Sequence, residues 1–451
     1  MMKKITTIFL SGLFAAITLF AQNNISPENA LNNYINNNDN TYAWEIIDSY
    51  PVEKTQAYSL LMVSQKWQGI LWKHELIVFV PDTIHNNDAL LFITGGSIKD
   101  NFPKFTDKDD STSQLIGAIA DKNKAVTAIL RQTPNQPLYN DLYEDALIAY
   151  TLNELKNNDD LSWPLLFPMT KSAIRAMDVI QDFANDKLKM PIDKFLISGA
   201  SKRGWTTWLS AATEDSRIMA IAPMVIDILN MPVSLNYQHE VYGDYSDEIQ
   251  DYVNLDIPQA INSEFGSAIV QMIDPYSYRD RLTMPKMIFM GTNDPYWTLD
   301  AVKHYIKDIP GHNLLHYVAN AGHGLGDKEQ AFAALNSFFH MSLTKEPLPV
   351  CKWNLSVKRK NIELSVSVDK SNLVGAKLWI AKSQTRDFRK SEWKYTDINT
   401  KSKSKVLAKL KLPDKGYQAF YIDLIYKDSN NSEYSISSRT FVMDNKMIYK
   451  D

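Results

Sequence analysis

Ser201 sits in the stretch Ile197-Ser198-Gly199-Ala200-Ser201-Lys202-Arg203-Gly204-Trp205, an apolar run that stops at a serine between small residues and then turns amphipathic. This pattern reads as strand, sharp turn, helix. A serine hydroxyl at such a turn projects from the end of a sheet, where the N–H groups that open the helix can stabilise an anionic oxygen. Gly199 keeps a Cβ out of the turn. The second residue after the serine is Arg203, and glycine is delayed to Gly204. An ordinary serine cap on a buried helix is the alternative reading of this segment taken alone.

Two downstream residues complete a chemistry. Asp294 follows the apolar run 285–291 and is fixed by Pro295, while His323 lies in Asn320-Ala321-Gly322-His323-Gly324-Leu325-Gly326 after a further apolar run. A serine hydroxyl is a weak nucleophile near neutral pH. An imidazole can take its proton, and a carboxylate can hold the imidazole in the right tautomer. The order serine, aspartate, histidine, each just past an expected strand, is that of an α/β-hydrolase. Asp227, at the end of the run 218–225, is the rival acid. The glycines around His323 imply an exposed loop. His304, His312 and His316 have no spacing that suggests a metal site, and no cofactor is expected.

These residues need a sheet to hold them. Residues 58–67 and 70–80 flank Gln68-Gly69 and suit a β-hairpin. Residues 89–94 form a buried strand that ends at Gly95-Gly96, where a second oxyanion donor would lie, a plain glycine turn being the alternative. Residues 113–122 read as a helix and 125–130 as the next strand, so strand and helix alternate as in a parallel sheet. The loop Arg131 to Pro137 leaves the carboxyl end of that strand. Its Gln132, Asn135 and Gln136 are candidates for substrate contact or for turn duty. Glu144 and Asp145 open another helix, and residues 169–186 form a longer one with an apolar face. Residues 301–307 read as helical. Between about 228 and 284 the alternation stops, and an acidic segment rich in tyrosine is expected to form a cap over the site.

The chain has 451 residues, 45% of them apolar, which suffices for one large domain and a smaller one. Lys3-Lys4, an apolar stretch to Phe20 and Ala21 form the pattern of a secretory signal peptide over residues 1–21, which places the protein in the periplasm or outside the cell. Losing Lys3 and Lys4 lowers the basic count from 48 to 46 against 52 acids, and the formal charge from −4 to −6. A mildly acidic chain without a basic stripe is a poor nucleic-acid binder, and no mature segment is apolar for long enough to span a membrane. Cys351 is the single cysteine, so no intramolecular disulfide forms. The asparagine-rich stretch 32–40 is expected to be a solvated turn, and the acidic stretch 107–111 a solvated loop lacking the glycine and glutamate of a calcium site. After Pro347-Leu348-Pro349 the pattern becomes short alternating strands, with Ile362, Leu364, Val366 and Val368 on one face. The expected organisation is therefore a hydrolase domain over 22–346 and an immunoglobulin- or fibronectin-like β-sandwich over 347–451. Trp353, Trp379 and Trp393 read as its core, and it could dock the protein on a surface or polymer.

The segments Leu91 to Ser97, Leu130 to Pro137, Ile197 to Trp205, Ala222 to Asp227 and Gly291 to Asp294 resemble the PhoPQ-activated pathogenicity-related family. That resemblance covers most of the mature chain and implies an exported α/β-hydrolase-like fold with a C-terminal β extension. Glycine three residues after the serine is also similar to glucuronoyl esterases. By that analogy Lys202 or Arg203 would help hold the oxyanion, a surface cation being the alternative. The expected activity is hydrolysis of a small-molecule or polymer-borne ester through Ser201, His323 and Asp294, with donors near Lys202 and Gly96. A serine peptidase, or a non-catalytic secreted binding or signalling protein on the same scaffold, are the alternatives.

Overall fold

The computed structural model describes residues 25–369, 371–400 and 404–450; the expected signal peptide, residues 1–21, lies outside them. A helix α1 (Pro27–Ile35) opens the described chain. Half of the asparagine-rich stretch is therefore helical rather than turn, because Asn29 and Asn33 bond to one another on one helix face and Pro27 starts the first turn.

Three antiparallel strands follow: β1 (Ala43–Val52), β2 (Thr55–Trp67) and β3 (Ile70–Pro81). The expected hairpin turns at Gln68 and Gly69, both with positive φ, as a two-residue turn matched to strand twist requires. The strand β4 (Ala89–Ile93) is buried on both faces, and β5 (Ile98–Lys99) and β6 (Phe102–Pro103) form a small separate ribbon. Asp110 caps the helix α2 (Ser111–Asn123) by accepting from Ser113 N–H and pairs with Arg131, so the acidic stretch ends as a helix cap. Then come β7 (Thr127–Leu130), α3 (Glu144–Asn158), α4 (Leu166–Phe183), β8 (Phe195–Ala200), α5 (Lys202–Ala212) and β9 (Ile218–Met224). After the segment between β9 and β10, the alternation resumes with β10 (Lys286–Gly291), β11 (Asn313–Val318) and α9 (Glu329–Thr344). Only Ala301–His304 of the expected helix 301–307 is helical, as a 3₁₀ turn.

The sheet order β1-β2-β3-β7-β4-β8-β9-β10-β11 runs parallel from β7 onward. Apart from the extra edge strand β1, this is the α/β-hydrolase sheet. Successive residues of its central strands enter different cores: Leu91 and Ile197 pack toward α4 and α5, while Leu90 and Leu196 pack toward α2 and α9. Such two-sided burial is why these strands are apolar throughout.

The C-terminal strands are β12 (Cys351–Lys358), β13 (Asn361–Val368), β14 (Leu373–Ser383), β15 (Lys394–Asp397), β16 (Lys405–Lys411), β17 (Tyr417–Lys427), β18 (Glu433–Ser437), β19 (Phe441–Met443) and β20 (Ile448–Tyr449). They form a sandwich. One sheet is β12-β13-β16; the other, β18-β17-β14-β15, joins the hydrolase sheet where Leu315 of β11 meets Ser437 of β18. Leu364 and Val366 face Ile422 and Leu424 in one apolar core that also holds α9 residues. His316 is fully buried at this junction and bonds to Ser435 O through Nδ1; burial pushes its pKa down to about 4.

Candidate active site

Ser201 stands between β8 and α5 with φ 58° and ψ −125°. A non-glycine residue there is strained by about 1–3 kcal/mol. The turn is held by Ser201 N–H donating to Met224 O at 2.9 Å and by Trp205 N–H donating back to Ser201 O at 2.9 Å. The two glycines serve close approach rather than positive φ. A Cβ at Gly199 would lie 2.8 Å from Arg203 O, and one at Gly204 would lie 2.7 Å from Met224 O on the neighbouring strand. Glycine belongs three residues after this serine because α5 crosses β9 at that point.

His323 Nε2 lies 2.8 Å from Ser201 Oγ, and His323 Nδ1 lies 2.9 and 3.1 Å from the two Asp294 oxygens. An ionised carboxylate only accepts, so Nδ1 carries the proton and Nε2 is free to take the serine's. The Tyr296 ring lies against the imidazole, tilted by 30° with centroids 4.1 Å apart, and Tyr296 N–H donates to Asp294 Oδ1. His323 is thus half-buried rather than exposed: its neighbouring glycines let the loop fold inward. Gly291 shows the same closeness, since a Cβ there would lie 2.5 Å from the carbonyls of Ala321 and Gly322.

Asp227 is fully buried and makes no hydrogen bond to His323. Burial pushes its carboxyl up to about 7, and the charges of Asp294 and Asp300 add to the rise. Lys202 and Arg203 are both paired. Lys202 Nζ lies 2.6 Å from Asp145 and 3.6 Å from Glu144, while Arg203 grips both oxygens of Glu144 at 2.6 and 2.7 Å and also bonds to Thr133 O. Burial alone would raise the Glu144 carboxyl, but the Arg203 guanidinium, Gln136 and Lys202 hold it down to about 2. In the sequence, Glu144 and Asp145 are two acids that open a helix. Their acidic pair opposite the basic pair Lys202-Arg203 was the available signal of this bracing.

Gly96 has φ 150°, and a Cβ on it would lie 2.9 Å from the Gln132 side chain. It follows β4, whose Ile93 is in register with Gly199. The polar loop Arg131 to Pro137 is buried and engaged within the fold. Gln132 accepts from Glu75 N–H, Asn135 donates to Lys73 O, and Gln136 bonds to both the backbone and the side chain of Glu144.

An apolar cavity of about 50 Å³ opens beside Ser201. Trp205, Ile226 and Ile228 line it from the sheet side. Met231, Leu235, Ile249, Ile257 and Ile261 line it from the inserted segment, which contains α6 (Met231–Tyr242), α7 (Gln250–Val253) and α8 (Glu264–Ile273). Of the tyrosines in that segment, Tyr252 reaches the cavity and donates to Asp145; the roof is otherwise aliphatic. Among the described residues no cluster of histidine, cysteine or acidic side chains could hold a metal ion, and no helix is long and apolar enough to cross a membrane.

The fold is similar to that of acetyl xylan esterase 1 from a Thermoanaerobacterium species, at 16% identity and a TM-score of 0.48 over 71% of this chain and 95% of that one. An S-formylglutathione hydrolase of Agrobacterium tumefaciens is similar at 12% identity and 0.44, over 66% of this chain and 99% of the other. In sequence, the chain is 30% identical over 442 residues to autocrine proliferation repressor protein A of Dictyostelium discoideum, spanning 90% of this chain and 88% of that protein. The model of one family matches residues 31–389, a span that takes in Ser201, Asp294 and His323 as well as the first strands of the C-terminal sandwich. The chain belongs to the PhoPQ-activated pathogenicity-related protein family.

Proposed function

We propose that this protein is an exported serine hydrolase that cleaves an ester through an acyl-enzyme. The observation that carries the reading is the unbroken contact from Ser201 Oγ through His323 to Asp294. Ser201 Oγ attacks the ester carbonyl while His323 Nε2 takes its proton and then delivers it to the departing alcohol oxygen. Water repeats the sequence on the acyl-serine and releases the acid. Lys202 N–H occupies the first position of α5, where a helix has no carbonyl of its own to offer. Together with Gly96 N–H it would bind the oxyanion. Lys202 and Arg203 side chains act by bracing the elbow through Glu144 and Asp145. The cavity admits a short, apolar group of a few non-hydrogen atoms beside the scissile carbonyl, so small acyl esters are the favoured substrates.

The test is fluorophosphonate labelling with peptide mapping, together with p-nitrophenyl acetate, butyrate and octanoate as substrates. Labelling at Ser201, its loss in Ser201→Ala and His323→Ala, and turnover that falls toward octanoate are expected. A second reading, a secreted signalling protein on a hydrolase scaffold, draws support from the 30% identical relative, an autocrine proliferation repressor protein. It gains if the folded protein neither labels nor turns over the acetate ester.

A further inference from the structure

We infer that one loop of the C-terminal sandwich, residues 384–393 between β14 and β15, is part of the catalytic machinery, because it fixes the two loops that carry Asp294 and His323. This rests on the hydrolase reading above and goes beyond it. Asn293, next to Asp294, donates its amide to Ser391 O at 2.7 Å, Arg389 O at 3.2 Å and Phe388 O at 3.4 Å. Asn320, three residues before His323, makes a reciprocal pair with the Trp393 backbone: its Oδ1 accepts from Trp393 N–H at 2.7 Å and its amide donates to Trp393 O at 3.0 Å. Thr292 ties the two together, since its hydroxyl accepts from Asn320 N–H and donates to Asn293 Oδ1. Asn293 N–H also donates to Ala321 O.

The clamping loop is itself anchored. Phe388 and Trp393 are each 2% exposed and lie in the core beneath the site. Arg389 lies over the Tyr242 ring at 4.0 Å, and Arg386 pairs with Glu240 at 2.6 Å, so the same loop grips α6 of the inserted segment. A docking module that merely trails from an enzyme has no reason to send two core aromatics and five backbone contacts into the acid and base loops. Both asparagines are positioning residues: neither touches Ser201, yet each sets where a triad residue stands. Displacing a reacting group by about 1 Å is enough to cost on the order of a hundredfold in rate.

The test uses the full mature chain with p-nitrophenyl acetate. Asn320 has φ 59°, so Asn320→Gly removes the clamp while leaving a backbone that glycine adopts freely. Asn293→Ala removes three donated contacts, with Asn293→Ser as the milder variant should alanine prevent folding. Each is expected to lower kcat by about tenfold or more with KM nearly unchanged, the split expected of lost positioning. Asn320→Asp keeps the acceptor for Trp393 N–H and should fall between wild type and Asn320→Gly. Val366→Ala, in the sandwich core away from the loop, should lower Tm while leaving kcat in place. Folded asparagine variants with wild-type kcat would overturn the inference, as would an equal kcat loss in Val366→Ala. An inert wild-type protein would instead bring down the hydrolase reading itself.

Discussion

β9 and β10 lie side by side, and each delivers a carboxylate just past its last residue: Asp227 three residues after Met224, and Asp294 three residues after Gly291. Burial does not separate them, at 3% and 7% exposure. What differs is the partner. Asp294 faces His323 and accepts from Tyr296 N–H, whereas Asp227 has a buried oxygen with no hydrogen-bond partner and a carboxyl pushed up to about 7. A strand-end position thus makes a carboxylate available, and a ring nitrogen within reach lets it orient a base.

Exchanging amide for carboxylate at the two positions is the sharpest way to break this comparison. Asp294→Asn is expected to lower kcat about 10³–10⁴-fold by losing control of the imidazole tautomer, while Asp227→Asn keeps activity. Equal losses in a hydrolysis assay would dissolve the distinction. Glu144 extends it to a carboxylate that does have cationic partners. Its lowered pKa contributes stability above about pH 4.5, lost as the pH falls toward 2. Glu144→Gln should therefore destabilise the neutral protein by about 1–2 kcal/mol after allowance for its partial exposure, and urea titrations at pH 7 and pH 3 should show the difference shrinking in acid.

For Asp227 the sign is opposite. Its raised pKa contributes stability that is complete below about pH 4 and is lost as the pH rises through about 7. Asp227→Asn should raise Tm at pH 8 and leave it nearly unchanged at pH 4, a gain on the order of 1 kcal/mol. A scan with the same difference at both pH values would contradict the burial argument. The smallest effect concerns the elbow: Ser201→Gly should be more stable than Ser201→Ala by about 1 kcal/mol, because only glycine relieves the positive φ. Both variants should be inactive, and equal thermal midpoints would show that the turn carries no strain.

The layering, and the places where site residues could stand, were legible from residue order. The apolar runs 89–94, 195–200 and 285–291, each closed by small or acidic residues, can only be buried strands, and Ser201, Asp294 and His323 follow such runs because that is where a parallel sheet opens to solvent. The alternation of Ile362 to Val368 likewise determined a two-faced sheet, and the two-residue turn at Gln68-Gly69 a hairpin. These are local signals, carried by period and by turn residues.

Everything that depends on long-range contact was decided by the tertiary structure. Whether Asp294 or Asp227 meets His323 is a matter of which loop folds over which strand end. Residues 320–323 fold onto Gly291 and Asn293, because a glycine at 291 leaves room for the carbonyls of 321 and 322. The pairing of Glu144 and Asp145 with Lys202 and Arg203 spans some sixty residues, and the grip of residues 388–393 on Asn293 and Asn320 spans seventy or more. No periodicity records such contacts. The asparagines at 293 and 320 are ordinary turn residues in the sequence, and they acquire a role only when β18 pairs with β11 and brings the sandwich against the site.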